Sequence, residues 1–420
     1  MRIWHVVILA SLLIPRPGAA QSSSLTIDEA VAAAVASHPQ VLEAAAGVDG
    51  SLARADRATA PYYPEIGLIA DWNKGRNYFT HLNGARDIQA ITAGVTLRQN
   101  LYDFGRTAGS VEAGRRGHEA ARELQSSVKK DMAFRVKEAF YQLLAAEKQL
   151  KVIEENARLR SETLRQARES FASGKRSKLD VVRAESSFYA VESLLSRAES
   201  NREVARMELA MAMGSTVPVS RPLAEPAVSE GSVGDLTGLQ RQALIQRPEL
   251  RRLQSLRDAA DGTMKSVRSG HLPLLSASAS AGIADNAFLP DGGVWNVGVT
   301  LAVPLFAGYA TVNQERDVLS HIRSIDAQNA GARMAIIREV EGAWFALRDA
   351  ESRFESSSRE RSAARETMDL QSARYRDGSA GINEIADAQV QLLAAETASV
   401  HARCDIGIAR ARLARASGAE

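Results

Sequence analysis

Two hydrophobic rhythms alternate along the chain. In Leu275-Ser276-Ala277-Ser278-Ala279-Ser280-Ala281 every odd position is apolar and every even one is serine. Trp295, Val297, Val299, Leu301, Val303 and Leu305 keep the same odd rhythm, with Asn296, Gly298 and Thr300 between them. Ile91, Ala93, Val95 and Leu97 oppose Thr92, Gly94, Thr96 and Arg98, and a fourth such segment centres near Gly67. Period two over about ten residues predicts strands with one apolar and one polar face. The length suits a tilted membrane strand. The alternative is a one-sided soluble sheet packed on a core. The membrane reading turns Ala279 toward lipid and Ser278 toward water.

The second rhythm is helical. From Arg106 to Met213 the composition favours helix, with one break at FASGKRSK; the second half breaks at RYRDGSAGIN. Each half is expected to hold a helix of about 65 residues, a turn, and a return helix of about 36. The long helix spans roughly 100 Å, and its partner covers about half of that. Ile27 to Ala60 supplies the missing half as two short helices, divided at His38-Pro39, where proline can start a helix.

These rhythms recur because the chain states one plan twice. Pro39 and Pro248 are 209 residues apart, as are Pro64 and Pro273. Beyond them the offset is 204: VTLRQNLYDFGR answers VTLAVPLFAGYA, VKEAFY answers VEGAWF, and Gly174, Asp180 and Gly214 answer Gly378, Glu384 and Gly418. The offset changes once, between Pro64 and Val95, which predicts a loop five residues longer in the first copy. The expected divisions are a signal peptide (1–20), a first repeat (21–214), a linker (215–236) and a second repeat (237–420). The fold class is α+β, mainly α. Four strands cannot close a barrel alone, so closure needs several chains; two would give eight strands and three would give twelve.

Composition narrows the setting. Apolar residues make up 45% of 420, enough for a sizeable core, and the formal net charge of +2 comes from acids and bases mixed throughout, which argues against nucleic-acid binding. Arg2, the apolar run Trp4–Ile14 and the small residues Gly18 and Ala20 predict export, with cleavage after Ala20. No cysteine follows that point for lipid attachment. Cys404 is the only cysteine, so no internal disulfide can form. No later run is long and apolar enough for a transmembrane helix.

The duplicated strand, long helix, turn and helix plan, together with LTIDEAVAAAVASHPQV and QNLYDFGR, resembles the TolC family of outer-membrane efflux and type I secretion channels. The resemblance covers nearly all of the expected mature chain. It implies a homotrimer in the outer membrane of a Gram-negative bacterium. Four strands per protomer would form a twelve-stranded barrel, continued by a periplasmic helical tunnel. It implies a periplasmic adaptor and an inner-membrane transporter as partners, and no cofactor. It places a periplasmic gate at Glu384 and Asp387, one helical turn apart, where three copies would stack two carboxylate rings that favour cations. It assigns adaptor contacts to Gly174, Lys175, Arg176 and Ser177 in one turn, and to Gly378, Ser379, Ala380 and Gly381 in the other. The linker is short and proline-rich, and the chain stops just after Gly418, so a reduced mid-tunnel belt is expected.

Enzyme chemistry finds little support. Asp103-Phe104-Gly105 spells a kinase metal-binding triplet, but no HRD and no glycine-rich loop accompany it. Asp103, Gly105 and Gly308 are expected instead to serve strand-to-helix turns. The seven histidines are scattered without an HExxH, and there is no phosphate loop. Energy for transport would come from a partner. The other reading is an exported coiled-coil adaptor or structural protein, which has no need of two sets of half-apolar strands.

Overall fold

The computed structural model describes residues 24–79, 84–226, 234–285 and 292–419. The expected signal peptide lies outside the described residues. Helices α1 (Ile27–Ser37) and α2 (Pro39–Arg57) meet at His38, whose Nδ1 accepts from the Gln40 N–H while Pro39 opens α2. Thr26 and Glu29 close a capping box on α1. Strands β1 (Glu65–Phe79) and β2 (Gly84–Tyr102) follow, then α3 (Arg106–Ala172) and α4 (Lys178–Ala212). The same order returns as α5 (Leu236–Gln246), α6 (Pro248–Arg268), β3 (Leu274–Asp285), β4 (Gly293–Ala302), α7 (Ala310–Arg376) and α8 (Ile382–Ser417). Helices α3 and α7 each have 67 residues, so both run for roughly 100 Å.

The four strands form one antiparallel sheet in chain order, with β1 and β4 as its edges. Register aligns the alternation across all four. Leu68 pairs with Val95, Val95 with Ala281 and Ala281 with Trp295, so one face is apolar. Gly67 pairs with Thr96, Thr96 with Ser280 and Ser280 with Asn296 on the other. Leu68 and Trp295 are each 81% exposed, so no helix among the described residues covers the apolar face there. The hairpins depart from the expected loop difference. The β1–β2 ladder has 15 pairs and the β3–β4 ladder 10, so the extra residues lengthen the strands instead of the loop. Glu65↔Arg98 and Leu274↔Ala302 hold the same place in the two copies. β2 continues to Tyr102, whereas β4 stops at Ala302, ahead of Pro304, which has no N–H to donate.

The helices stand in columns. Helix α3 packs against α2 and α4 on one side and against α6 and α8 on the other, and α7 lies beyond α6 and α8. Separate clusters of buried side chains fill the seams, among them Phe140, Leu143 and Leu209 at mid-length and Leu253, Met264 and Ile322 between α6 and α7. Just below the sheet, α3 and α6 touch backbone to backbone. A Cβ on Gly109 would lie 2.6 Å from the Ser266 nitrogen, and one on Gly262 would lie 2.7 Å from that of Ala113. Gly114 meets Ala55 of α2 almost as closely.

Candidate gate at the helical tips

The end of the molecule far from the sheet is built by two helical turns. The first ends α3 with Gly174 at φ 72°, and Lys175 N–H bonds back to the Ser170 carbonyl at 2.9 Å. The second ends α7 with Gly378 at φ 79°, and Ser379 N–H reaches the Arg374 carbonyl at 2.9 Å. Glycine accepts this left-handed geometry without a Cβ penalty. Ser177 then caps α4, accepting from the Asp180 N–H. Gly381 opens α8, and its N–H donates to Glu384 Oε2 at 2.9 Å.

Glu384 and Asp387 are both exposed and lie one helical turn apart on α8, whose residues Ile382, Ile385, Ala388 and Gln389 are buried. The sequence expectation that both carboxylates share one face agrees with this placement. It missed the capping bond that Glu384 makes. Among the turn residues, Gly174, Lys175, Ser177, Gly378, Ser379 and Gly381 are exposed. Ala380 is only 4% exposed, and Arg176 is half-buried and engaged. Arg176 Nη2 donates to the carbonyls of Tyr375 at 3.2 Å and Ala380 at 2.8 Å, and its guanidinium lies 4.5 Å from the centre of the Tyr375 ring. Arg183 Nη1 donates to Asn383 Oδ1 at 3.0 Å. These contacts join the two turns. Tyr375 is buried, and its hydroxyl has no partner. Burial pushes its phenol up, with Arg176 opposing and Asp180 adding to the shift.

At the other end, the strand-to-helix turns are left-handed in both copies: Phe104 and Gly105 in the first, Gly308 and Tyr309 in the second. Asp103 makes the first turn specific. Its carboxylate accepts from Gly105 N–H at 3.1 Å, from Thr107 N–H at 2.7 Å and from the Thr107 hydroxyl. Burial works to raise its pKa, but the bonds from Thr107 and Gly105 outweigh that and hold the carboxyl below its usual range. The equivalent position in the second copy is Ala307, so this clamp is not duplicated.

Among the described residues, no three His, Cys, Asp or Glu side chains gather as metal ligands, and no helix is long and apolar enough to cross a membrane. A cavity of about 430 Å³ opens between α3 and α8, with Tyr141 and Cys404 in its lining. Glu225 at its rim bridges Lys148 at 2.9 Å and Arg403 at 2.8 Å.

A half-apolar sheet of four strands on a duplicated bundle of long helices defines the chain as one of the outer-membrane channel class. Residues 30–215 and 239–419 match the family model described as outer membrane efflux protein, and the chain belongs to that family. It is a family of channels in the outer membrane and not of enzymes. The chain is 24% identical over 385 residues to CyaE of Bordetella pertussis, covering 90% of this chain and 81% of that protein. It is 21% identical to the outer membrane protein TolC of Escherichia coli over 390 residues, with 87% and 77% covered. A crystal structure of CusC shares the fold at a TM-score of 0.83 and 18% identity, over 94% of this chain and 93% of that one.

Proposed function

We propose that three copies assemble into a passive duct from periplasm to outside, the outer-membrane component of a tripartite export system. The observation that carries this is the sheet: among the described residues, the outer sides of β1 and β4 pair with no strand, and the apolar face is uncovered. An open edge is not viable in lipid, so closure requires neighbouring chains, and three protomers contribute twelve strands. The polar face, with Thr96, Ser278, Ser280 and Asn296, then lines the bore. The helices continue the bore as a periplasmic tunnel, with residues 215–236 as a mid-tunnel belt. Glu384 and Asp387 ring its inner mouth. The turns Gly174–Ser177 and Gly378–Gly381, exposed except at Arg176 and Ala380, meet a periplasmic adaptor, and an inner-membrane pump supplies the energy and selects drug, metal or protein cargo.

Light scattering on the protein in detergent, with the detergent mass subtracted, should give a trimer; a monodisperse monomer would overturn the assembly. In planar bilayers, Glu384→Gln with Asp387→Asn should weaken cation preference, because two stacked carboxylate rings lose their charge. The first-copy counterparts, Asp180 and Arg183, carry opposite charges, so neutralising both should matter less. Unchanged ion preference in the 384/387 variant would remove the gate from these residues.

A further inference from the structure

Between the gate and mid-tunnel, apart from the small hydroxyls of Ser357 and Ser399, the buried polar side chains gather at one level. Asn156, Arg160 and Thr163 of α3 and Gln389 of α8 are at most 6% exposed. They form one connected chain of hydrogen bonds. Asn156 Nδ2 donates to the Gln389 carbonyl at 3.1 Å, and Gln389 Nε2 donates to Thr163 Oγ1 at 2.8 Å. Thr163 in turn donates to the Leu159 carbonyl at 3.0 Å. Arg160 Nε donates to Asn156 Oδ1 at 2.8 Å, and its Nη1 reaches the Ser187 carbonyl of α4 at 2.9 Å. Three helices are thus tied at one height. Apolar clusters lie on both sides of it: Leu150, Ile153 and Val191 above, Leu164, Ala167 and Ile385 below.

This group is costly to bury. Among the described residues, Arg160 has no carboxylate within ion-pairing distance and is held by neutral oxygens alone. Apolar side chains of similar size would pack there with no charge to desolvate. What a polar group adds to an apolar interface is register, because its bonds exist at one axial setting only. A slip of α8 by one residue, about 1.5 Å, would break the Asn156 and Thr163 bonds together and strand buried donors. Apolar contacts would tolerate that slip. Below this level, the hydrogen bonds between the two hairpins are those of Arg176 and Arg183, at the partly exposed tips. The stretch of α8 below Gln389 is about 10 Å long and carries Glu384 and Asp387.

We propose that the Asn156–Arg160–Thr163–Gln389 clasp is the fixed point of the gate. It pins α8 in register on α3 and α4, so that opening is confined to the tips below it and the carboxylates move while the helices above stay paired. These are positioning residues, and their role rests on the reading that Glu384 and Asp387 line the mouth.

Hydrogen exchange on the full-length trimer, combined with bilayer conductance, tests the clasp. In the wild type, amides of α8 from 383 to 388 should exchange at least tenfold faster than those from 391 to 400. In the triple variant Asn156→Leu, Arg160→Met, Gln389→Met, protection over 391–400 should fall at least tenfold, without a lower melting temperature. The open fraction should rise while cation preference stays unchanged. Thr163→Val alone, which removes one acceptor at nearly constant volume, should move the same amides in the same direction if the triple variant does not assemble. The Glu384→Gln, Asp387→Asn variant should leave the exchange boundary where it is, so a failed gate assignment is read separately. Uniform exchange along α8 in the wild type, or an unmoved boundary in both clasp variants, would overturn the proposal.

Discussion

Arg176 donates to the carbonyl oxygen of Ala380 at 2.8 Å, and the two residues occupy the same place in the two halves of the chain, 204 positions apart. The turn of one copy therefore holds the turn of the other by its own counterpart. Arg176→Ala removes two charge-assisted bonds and the stacking on Tyr375, and should loosen the tips by about 1 to 3 kcal/mol. The readout is a higher open fraction in planar bilayers. Arg176→Lys should not restore the closed fraction, because an ammonium cannot stack and fork at once.

Tyr375 gives the opposite expectation. Its ring is buried beneath Arg176, but its hydroxyl is buried without a partner. Tyr375→Phe keeps the ring and removes the unpaired group, so the melting temperature should hold or rise. A clear fall would mean that the hydroxyl finds a partner in the assembled trimer.

The Asp103 clamp predicts a pH dependence with a definite sign. Its carboxyl is held below the usual range, so the stability it contributes is full above about pH 4 and is lost as the pH falls through the depressed folded-state value. Asp103→Ala should cost about 1 to 2 kcal/mol at neutral pH. The variant and the wild type should converge as the pH drops, which thermal unfolding from pH 7 to 3 would measure.

Cys404 is buried, and burial pushes its thiol up to about 11. The thiolate is the reactive form, so maleimide labelling of the folded trimer should be slow at pH 8 and climb about tenfold per pH unit above it. Gly407→Ala would place a Cβ 2.3 Å from the Tyr141 ring, displacing a wall of the same cavity, and should speed labelling at every pH. A rate independent of pH would show that opening of the helices, and not ionisation, limits access.

The sheet faces are testable with single cysteines in a Cys404→Ser background. Ser278 lies on the polar face, paired with Arg98 and Gly298, and Ala279 on the apolar face, paired with Leu97 and Val297. In liposomes a membrane-impermeant thiol reagent should label Ser278→Cys and spare Ala279→Cys. Equal labelling would indicate a register slipped by one residue.

Much of this architecture is legible in the sequence because it rests on periodic signals. The matched prolines and glycines mark the helix breaks, and Gly174, Gly214, Gly378 and Gly418 all adopt positive φ where the repeat places them. The alternation locates all four strands. It fails at the outer part of the first hairpin, where Lys74 pairs with Gln89 and Asn73 with Ala90. There the apolar contrast disappears while hydrogen bonding continues, so strand looks like loop. The tips were legible only as turns. Arg176 reads as a solvated charge because nothing local announces that Tyr375, far along the chain, sits beneath it. The clasp is invisible for the same reason: one Asn, one Arg and one Gln in helices rich in polar residues acquire meaning only when α8 is laid on α3.

The glycine contacts beneath the sheet have a mechanical consequence. Within the first copy, α2 meets α3 at Ala55 and Gly114, and between the copies α3 meets α6 at Gly109 and Gly262. The second copy carries Met264 where the first has Ala55 and Val318 where it has Gly114, and these larger side chains belong to the α6–α7 packing. Duplication thus left three helices locked spine to spine and a fourth held off by a cushion of side chains. In the trimer proposed above, each protomer then brings one rigid stave of three helices and one softer seam between α6 and α7. Stress across the bundle is then taken up at the α6–α7 seam and not at the glycine contacts.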